Sequence, residues 1–324
     1  MDMKNDNLRH LNNETDMNIL RRVKMRHLET FVEVARQKSV SRAADNLNLT
    51  QPAVTRTIRE LEDICNRPLV EKDGRGIRIS HYGEIFLRYA GSSLAAARGG
   101  INALAELSLS DGPMVRLGAL PTVSATIVPL AVSRYLASGL QNRLSIVTGE
   151  NRVLLDQLRV GELDLVVGRL PAPENMQGLI FEPLFRDKVI FAVHAGHPLA
   201  GSVRMAVDSL DDYPVLVPTR QSIIRPFVDR LFIEQGISEP LQAIETVSDS
   251  FGRAFVRRHA AIWIISRGVV ASEIESGEFV ALPIDTESTL GSVGLNTRAQ
   301  TALGPAAQTF ADILRRVVAE IHQV

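Results

Sequence analysis

The sequence predicts an α/β chain in three parts: a small α-rich domain closed by a hairpin, one long helix, and a larger α/β region. Three observations carry this. Before position 80, apolar residues recur at helical spacing in three short segments and then alternate in two. Residues 82–108 carry an unbroken stripe of leucine and alanine. From 114 onward, short β-branched runs alternate with helix-length segments, the pattern of sheets covered by helices.

Composition sets the bounds. A chain of 324 residues has room for two domains and more than one core. Its hydrophobic share of 45% and charged share of 23% are ordinary for a globular protein. No run approaches the roughly 20 apolar residues of a membrane helix. Residues 1–24 are polar and lack the apolar centre of a secretory signal, so the chain reads as cytoplasmic with no membrane partner. The single cysteine, Cys65, excludes an intrachain disulfide and a two-thiol redox switch. It falls on the apolar side of a predicted helix and reads as a packed thiol. The net charge of −1 gives no argument for nucleic acid, and Lys/Arg only slightly outnumber Asp/Glu between Arg26 and Arg88.

Leu28, Phe31, Val32, Val34 and Ala35 give the first helix an apolar face that runs to about Gln37. Ser39 or Ser41 can cap the next, short helix, in which Ala43, Ala44 and Leu47 are core candidates. Thr50 can cap a third, with Pro52 tolerated in its first turn because those amides lack helical partners. Val54, Ile58, Leu61 and Cys65 form one face of that third helix, while Gln51, Thr55 and Arg59 lie on another, flanked by Pro52 and Arg56. A solvated face would look the same. An amide, hydroxyls and guanidinium forks are also what base edges and phosphates require. The short-helix, turn, longer-helix proportions of 41–64 are those of a helix-turn-helix. Strands at 69–72 and 77–79 around a glycine-rich turn tipped by Arg75 then form a wing.

The stretch from Met25 to Ser80 resembles the N-terminal domain of LysR-type transcriptional regulators. The residues that carry the match are the Phe31 to Ala35 run, Ser41-Arg42-Ala43-Ala44, Leu47, the 50–55 segment, Ile58, Leu61-Glu62 and Gly83. The resemblance implies a sequence-specific regulator of double-stranded operator DNA, with contacts from Ser41, Gln51, Pro52, Thr55, Arg56, Arg59 and Arg75. Asn66-Arg67-Pro68 departs from the family's glycine-containing turn, which should alter the turn and not the fold. Residues 1–24 exceed what the family needs and are expected to lack fixed structure, with Met17 and Met25 as alternative starts.

Leu87, Ala90, Leu94, Ala97, Ile101 and Leu104 alternate by three and four along 82–112, a heptad seam on a helix of about 40 Å. Such a stripe packs either on its own domain or on a second chain. The family's linker helix pairs subunits, which implies dimerisation through Leu87, Leu94, Ile101 and Leu104 in a homodimer or homotetramer. Asp111-Gly112-Pro113 then marks a domain boundary.

Residues 113–324 read as α/β subdomains with largely parallel sheets, with strands near 115–118, 144–147, 163–167, 189–193 and 214–217. Helices fall near 123–136, 153–160 and 226–235. The region resembles the type 2 periplasmic-binding-protein fold of the same regulators' effector domain. That likeness implies subdomain I at 113–187 and 293–324, subdomain II at 188–292, and an effector between them. Thr122, Ser124, Asn151, Arg169 and Thr219 sit at strand ends and helix starts, where a carboxylated effector would be held. The wording of 74–90, 115–129 and 148–170 resembles the branch that regulates the protocatechuate (pca) catabolic operon, with a neighbouring branch regulating a galactose-binding-protein gene. RNA polymerase is then the implied transcriptional partner.

An enzyme is the rival class. The 7 histidines are scattered, with no metal-binding histidine motif, cysteine pair or phosphate loop, so no catalytic residue, metal or cofactor is expected. His194 and His197 read as a turn, and Glu150 and Asp164 as helix-start and strand-end residues. A solute-binding transport protein would share the second fold, but not the polar N-terminus or the helix-turn-helix.

Overall fold

The computed structural model describes residues 20–74, 76–108, 113–139, 143–202 and 210–322. Most of the N-terminal extension (1–19), Arg75 and the 109–112 boundary lie outside the described residues. The chain forms two compact units, the first mainly residues before 105 and the second mainly the rest.

In the first unit, α1 (Met25–Gln37), α2 (Val40–Leu47) and α3 (Gln51–Cys65) precede β1 (Val70–Asp73), β2 (Gly76–Ile79) and α4 (His81–Ser108). The predicted faces meet: Phe31, Val34, Ala43, Val54 and Leu61 are fully buried together. Cys65 is only half-buried, and burial raises its thiol above its ordinary value. Ser39, not Ser41, caps α2, accepting from the Arg42 amide. Thr50 holds the N-cap position of α3 without a side-chain cap bond. Each helix stops on a left-handed residue, Lys38, Asn48 and Asn66 in turn. Asparagine tolerates that conformation, so Asn66 does the work of a glycine in the 66–68 turn.

The hairpin is antiparallel with Val70 opposite Ile79 and Asp73 opposite Gly76. It is tied to α3 by Glu62, whose carboxylate accepts from the Leu69 and Val70 amides at 2.8 and 3.1 Å. Gly83 fits because a Cβ there would lie 2.1 Å from the Leu69 carbonyl oxygen. Along α4 the predicted seam divides. Leu94 is 3% exposed and Leu87 half-buried, both covered within the chain, while Ile101 and Leu104 are 67% and 68% exposed. The expectation that all four face a second chain is therefore corrected: the N-terminal part of α4 is used to close its own domain.

The second unit holds two mixed sheets. Its elements begin β3 (Met114–Ala119), α5 (Pro121–Ser124), α6 (Ile127–Ala137), β4 (Arg143–Thr148), α7 (Asn151–Arg159) and β5 (Leu165–Arg169). Then come β6 (Leu179–Asp187), β7 (Val189–His194), β8 (Val215–Val217), α8 (Arg225–Gln235), β9 (Ala243–Glu245) and α9 (Asp249–Arg258). The last are β10 (Ile262–Ser266), α10 (Ala271–Glu275), β11 (Phe279–Ala281), β12 (Gly291–Arg298) and α11 (Pro305–His322). The first sheet runs β4-β3-β5-β12-β6 and the second β11-β7-β10-β8-β9.

The chain crosses between sheets from β6 to β7, around Lys188, and returns into β12. Those crossings are why the sheets are not largely parallel. β12 runs antiparallel to both β5 and β6, and β7 antiparallel to β10 and β11. Strands that pass directly from one sheet to the next need no crossover helix, so they enter in the reverse sense. The expected helix at 123–136 is also broken, because Thr126 leaves the helical region and bonds its hydroxyl to the Thr122 carbonyl.

Strand alternation places the cores. Val115 and Leu117 of β3, Val167 of β5 and Leu295 of β12 pack under α6 and α11, where Tyr135 meets Phe310 edge-on at 5.4 Å. Leu154, Leu155 and Leu158 of α7 cover the other face. In the second sheet Ile262 and Ile264 face α8 while Trp263 between them faces α9.

Candidate nucleic-acid interface and effector cleft

Burying Val54, Ile58 and Leu61 leaves the opposite side of α3 to solvent, where Gln51, Pro52, Thr55, Arg56, Arg59, Glu60 and Asp63 line a shallow groove. Five of the seven expected contacts thus share one surface. Ser41 lies exposed in the first turn of α2 and is not part of this groove, and Arg75 lies outside the described residues. Thr55 turns its hydroxyl back to the Gln51 carbonyl at 3.0 Å, which fixes its rotamer and keeps its oxygen as an acceptor. The Arg56 Nε donates to Glu60 at 3.0 Å.

The acidic members of this face, and Arg26 on α1, were not among the sequence candidates. Arg26 meets Glu60 at 3.1 Å, a contact between segments that spacing within one helix does not show. The scaffold behind the face is held by Glu33 of α1, which accepts from Arg36, Gln37 and Asn46. Burial works against its charge, but these three donors outweigh it and hold the carboxyl below its ordinary 4.5.

In the second unit a cleft of about 730 Å³ opens between the two sheets. Thr122 and Ser124 reach it from α5, and Asn151 from the start of α7. The Ser124 hydroxyl is engaged by the Leu120 carbonyl at 2.8 Å. The Asn151 Oδ1 is buried and has no hydrogen-bond partner among the described residues. On the other side stand Gln221, Ser222, Thr246, Asp249 and Arg253. Ser248 caps α9, accepting from the Phe251 amide. Arg253 projects from that helix, its Nε held by Glu273 at 2.6 Å and another nitrogen by the Val269 carbonyl. The charged lining residues are Glu150, Asp249 and Arg253, and Arg253 is already matched by Glu273. Burial pushes the Asp249 carboxyl up, against the pull of Arg253. Glu150, read from the sequence only as a helix-start residue, is thus also part of the lining.

Arg169 is the main correction. It ends β5 as expected but does not line the cleft. Its side chain is 1% exposed, stacks over the Phe227 ring at 4.4 Å, donates to the Thr289 carbonyl and lies 3.9 Å from Asp187. Burial lowers the guanidinium from its ordinary value and raises Asp187, each opposed by the other's charge. The physical reason is Gly291: a Cβ there would fall 2.6 Å from the guanidinium, so β12 makes room for Arg169 inside. Asp187 and Thr289 border the two crossings, and Asp187 also accepts from the Gly268 amide. Arg169 therefore braces the crossings.

Thr219 likewise does not line the cleft, although its neighbour Pro218 does, and its hydroxyl is buried without a partner among the described residues. Arg253, Asp249 and Thr246 were missed because 243–258 was not read as a strand and helix. The Ser248-Asp249 start and the Arg257-Arg258 finish were the available signal. His194 and His197 do form a turn, with the His197 Nδ1 accepting from the Leu199 amide at 3.1 Å. No group of three or more metal-ligating side chains occurs among the described residues. No helix among them is long and apolar enough to cross a membrane.

Comparison with known proteins bears on both sites. Residues 25–84 match the bacterial regulatory helix-turn-helix of the lysR family, and 110–319 match the LysR substrate binding domain. The chain is 53% identical over 300 residues to the HTH-type transcriptional regulator PcaQ of Agrobacterium fabrum (strain C58 / ATCC 33970), covering 93% of this chain and 96% of that one. Full-length CbnR complexed with its target DNA superposes with a TM-score of 0.52 at 20% identity, covering 91% of this chain and 100% of that one. The effector binding domain of QuiR in complex with shikimate superposes with a TM-score of 0.54 at 22% identity, covering 64% and 97%. The chain belongs to the LysR family of DNA-binding transcriptional regulators.

Proposed function

We propose that this regulator senses a small carboxylated molecule in the cleft of its second unit and controls an operon for aromatic-acid breakdown of the protocatechuate type. The observation that carries the sensing role is the cleft, lined from both sheets by hydroxyl, amide and guanidinium groups. The starts of α7 and α9 lie at it, and their main-chain amides favour negative charge. Thr122, Ser124 and Asn151 hold the ligand from one side, and Gln221, Ser222 and Arg253 from the other. The pathway rests on the 53% relative and on the sequence likeness to the pca branch. Gln51, Pro52, Thr55, Arg56 and Arg59 read a half-site, and paired chains of a cytoplasmic homodimer or homotetramer occupy a pseudo-palindrome and engage RNA polymerase. The working division is 25–81 for DNA, 82–112 for pairing, 113–187 with 293–324 as one effector subdomain, and 188–292 as the other.

A second reading has its own observation. Glu150 and Asp249 outnumber the neutralised Arg253 in the lining, which suits a neutral polyol that donates hydrogen bonds, as in a sugar-uptake regulator. One experiment separates the two. Thermal unfolding is followed with carboxylated aromatics, their ring-cleavage acids and neutral sugars. A true effector at a hundred times its Kd stabilises by about 2.7 kcal/mol. A shift with sugars alone selects the second reading. In gel shifts with duplexes that the chain selects from a random pool, Thr55→Ala and Arg56→Ala should lose binding yet keep the ligand-induced shift. Failure of the unaltered chain to select any sequence at low salt would sink half-site reading by α3.

A further inference from the structure

The DNA-facing surface of α3 carries a carboxylate, Glu60, where a polyanion will approach. On charge alone such a group weakens binding, so its contacts need a reason. One oxygen of Glu60 accepts from the Arg56 Nε at 3.0 Å, and the other from an Arg26 terminal nitrogen at 3.1 Å. Behind them sits His27, only 2% exposed, with its Nε2 3.5 Å from the same oxygen that Arg26 uses. The His27 Nδ1 accepts the Lys24 main-chain amide at 3.2 Å. That bond leaves the imidazole proton on Nε2, the ring nitrogen nearest Glu60, which at 3.5 Å makes an electrostatic contact and not a hydrogen bond. A buried, backbone-anchored ring thus stands behind a carboxylate, which in turn gathers two arginines from two helices.

We infer that Glu60, backed by His27, is a positioning residue that sets Arg56 and Arg26 for base and phosphate contact, so that it confers sequence selectivity at some cost in affinity. With Nε engaged, Arg56 presents its two terminal amino groups end-on, the fork that matches the O6 and N7 of guanine. Without the clamp, an arginine that is 82% exposed samples many rotamers and finds phosphates as readily as bases. The inference rests on α3 being the reading helix. It adds to that reading a residue that touches no base itself. Burial keeps His27 below its ordinary value, hence neutral and able to hold the Lys24 amide.

The test uses the full chain, duplexes selected by the unaltered chain from a random pool, and poly(dI-dC) as the non-specific duplex. Glu60→Gln should tighten or leave unchanged the binding to poly(dI-dC). It should lower the selected-to-non-specific affinity ratio about 10-fold and broaden one guanine position of the selected half-site. The salt dependence should steepen by up to about one ion, since a negative charge leaves the interface. His27→Leu fills the same space without a donor and should lower the ratio in the same direction. His27→Gln keeps a donor toward Glu60 and should restore it, at matched melting temperature. An unchanged ratio and guanine preference in Glu60→Gln, while Arg56→Ala abolishes selection, would overturn the inference alone. Equal behaviour of the Leu and Gln variants would reduce His27 to packing and overturn its part. If Arg56→Ala selects the same sites as the unaltered chain, the reading of α3 falls and this inference with it.

Discussion

At the scale of single residues, the same chemistry meant different things at different depths. Arg169 and Arg253 are both arginines in the second unit, yet one is sealed against Asp187 and Phe227 while the other lines the cleft. The sequence offered Arg169, since it ends a strand where ligands of α/β sheets gather. It could not show that Gly291 opens a space for the guanidinium, because that glycine lies on a strand more than a hundred residues away. The consequence is a prediction about stability. Arg169→Ala leaves Asp187 buried without its cation and should cost about 3–5 kcal/mol in urea unfolding. Adding Asp187→Asn should recover part of that loss, because the two substitutions share one interaction. Strict additivity in the double-mutant cycle would show that the pair is not coupled.

At the scale of elements, the helices of the first unit were legible because each has a long apolar repeat and an available stop. Their stops depend on residues that accept the left-handed region, and asparagine provides this twice. The turn from the hairpin into α4 depends instead on close approach. Gly83→Ala would set a methyl 2.1 Å from the Leu69 oxygen, and the shift needed should destabilise the first unit by about 3 kcal/mol. Circular dichroism melts of that variant beside a surface alanine control would measure it, and a loss under 0.5 kcal/mol, on the order of a neutral surface change, would contradict the packing. The seam of α4 was legible as periodicity but not as partnership. Leu94 closes its own domain, whereas Ile101 and Leu104 are solvent-exposed. Ile101→Asp with Leu104→Asp should therefore shift sedimentation toward the single chain, without lowering the melting temperature of the first unit.

For the whole molecule, acid stability follows from carboxylates held below their ordinary values. Glu33 ties α1 to α2, and Glu182 of β6 ties to Arg315 of α11 at 2.8 Å. Burial opposes ionisation of Glu33, but its donors prevail. For Glu182 the Arg315 hydrogen bond leads and burial opposes it. Since both are lowered in the folded state, their stabilisation is complete above the ordinary value of 4.5 and is lost as pH falls through the lowered values. Urea midpoints should then drop on going from pH 6 to pH 3, and Glu33→Gln should flatten the drop. Asp187 and Asp249 are raised by burial and pull the other way, which makes the Glu33 comparison the cleaner readout.

The sequence by itself determined the order of parts, the apolar faces of α1 to α3, the wing, the long helix and the family, because each is written in short-range periodicity or a contiguous motif. It also placed Thr122, Ser124 and Asn151, since a helix start follows its strand directly. Only the tertiary structure decided that Arg169 braces the crossings, that Arg253 and Asp249 complete the cleft, and that the sheets are mixed. The reason is common to all three. Each depends on which distant strand lies alongside, and that pairing is fixed by how the chain crosses twice between sheets. The same limit hid Glu60's reach to Arg26 and His27, which only the packing of α1 against α3 brings to within 3.1 and 3.5 Å.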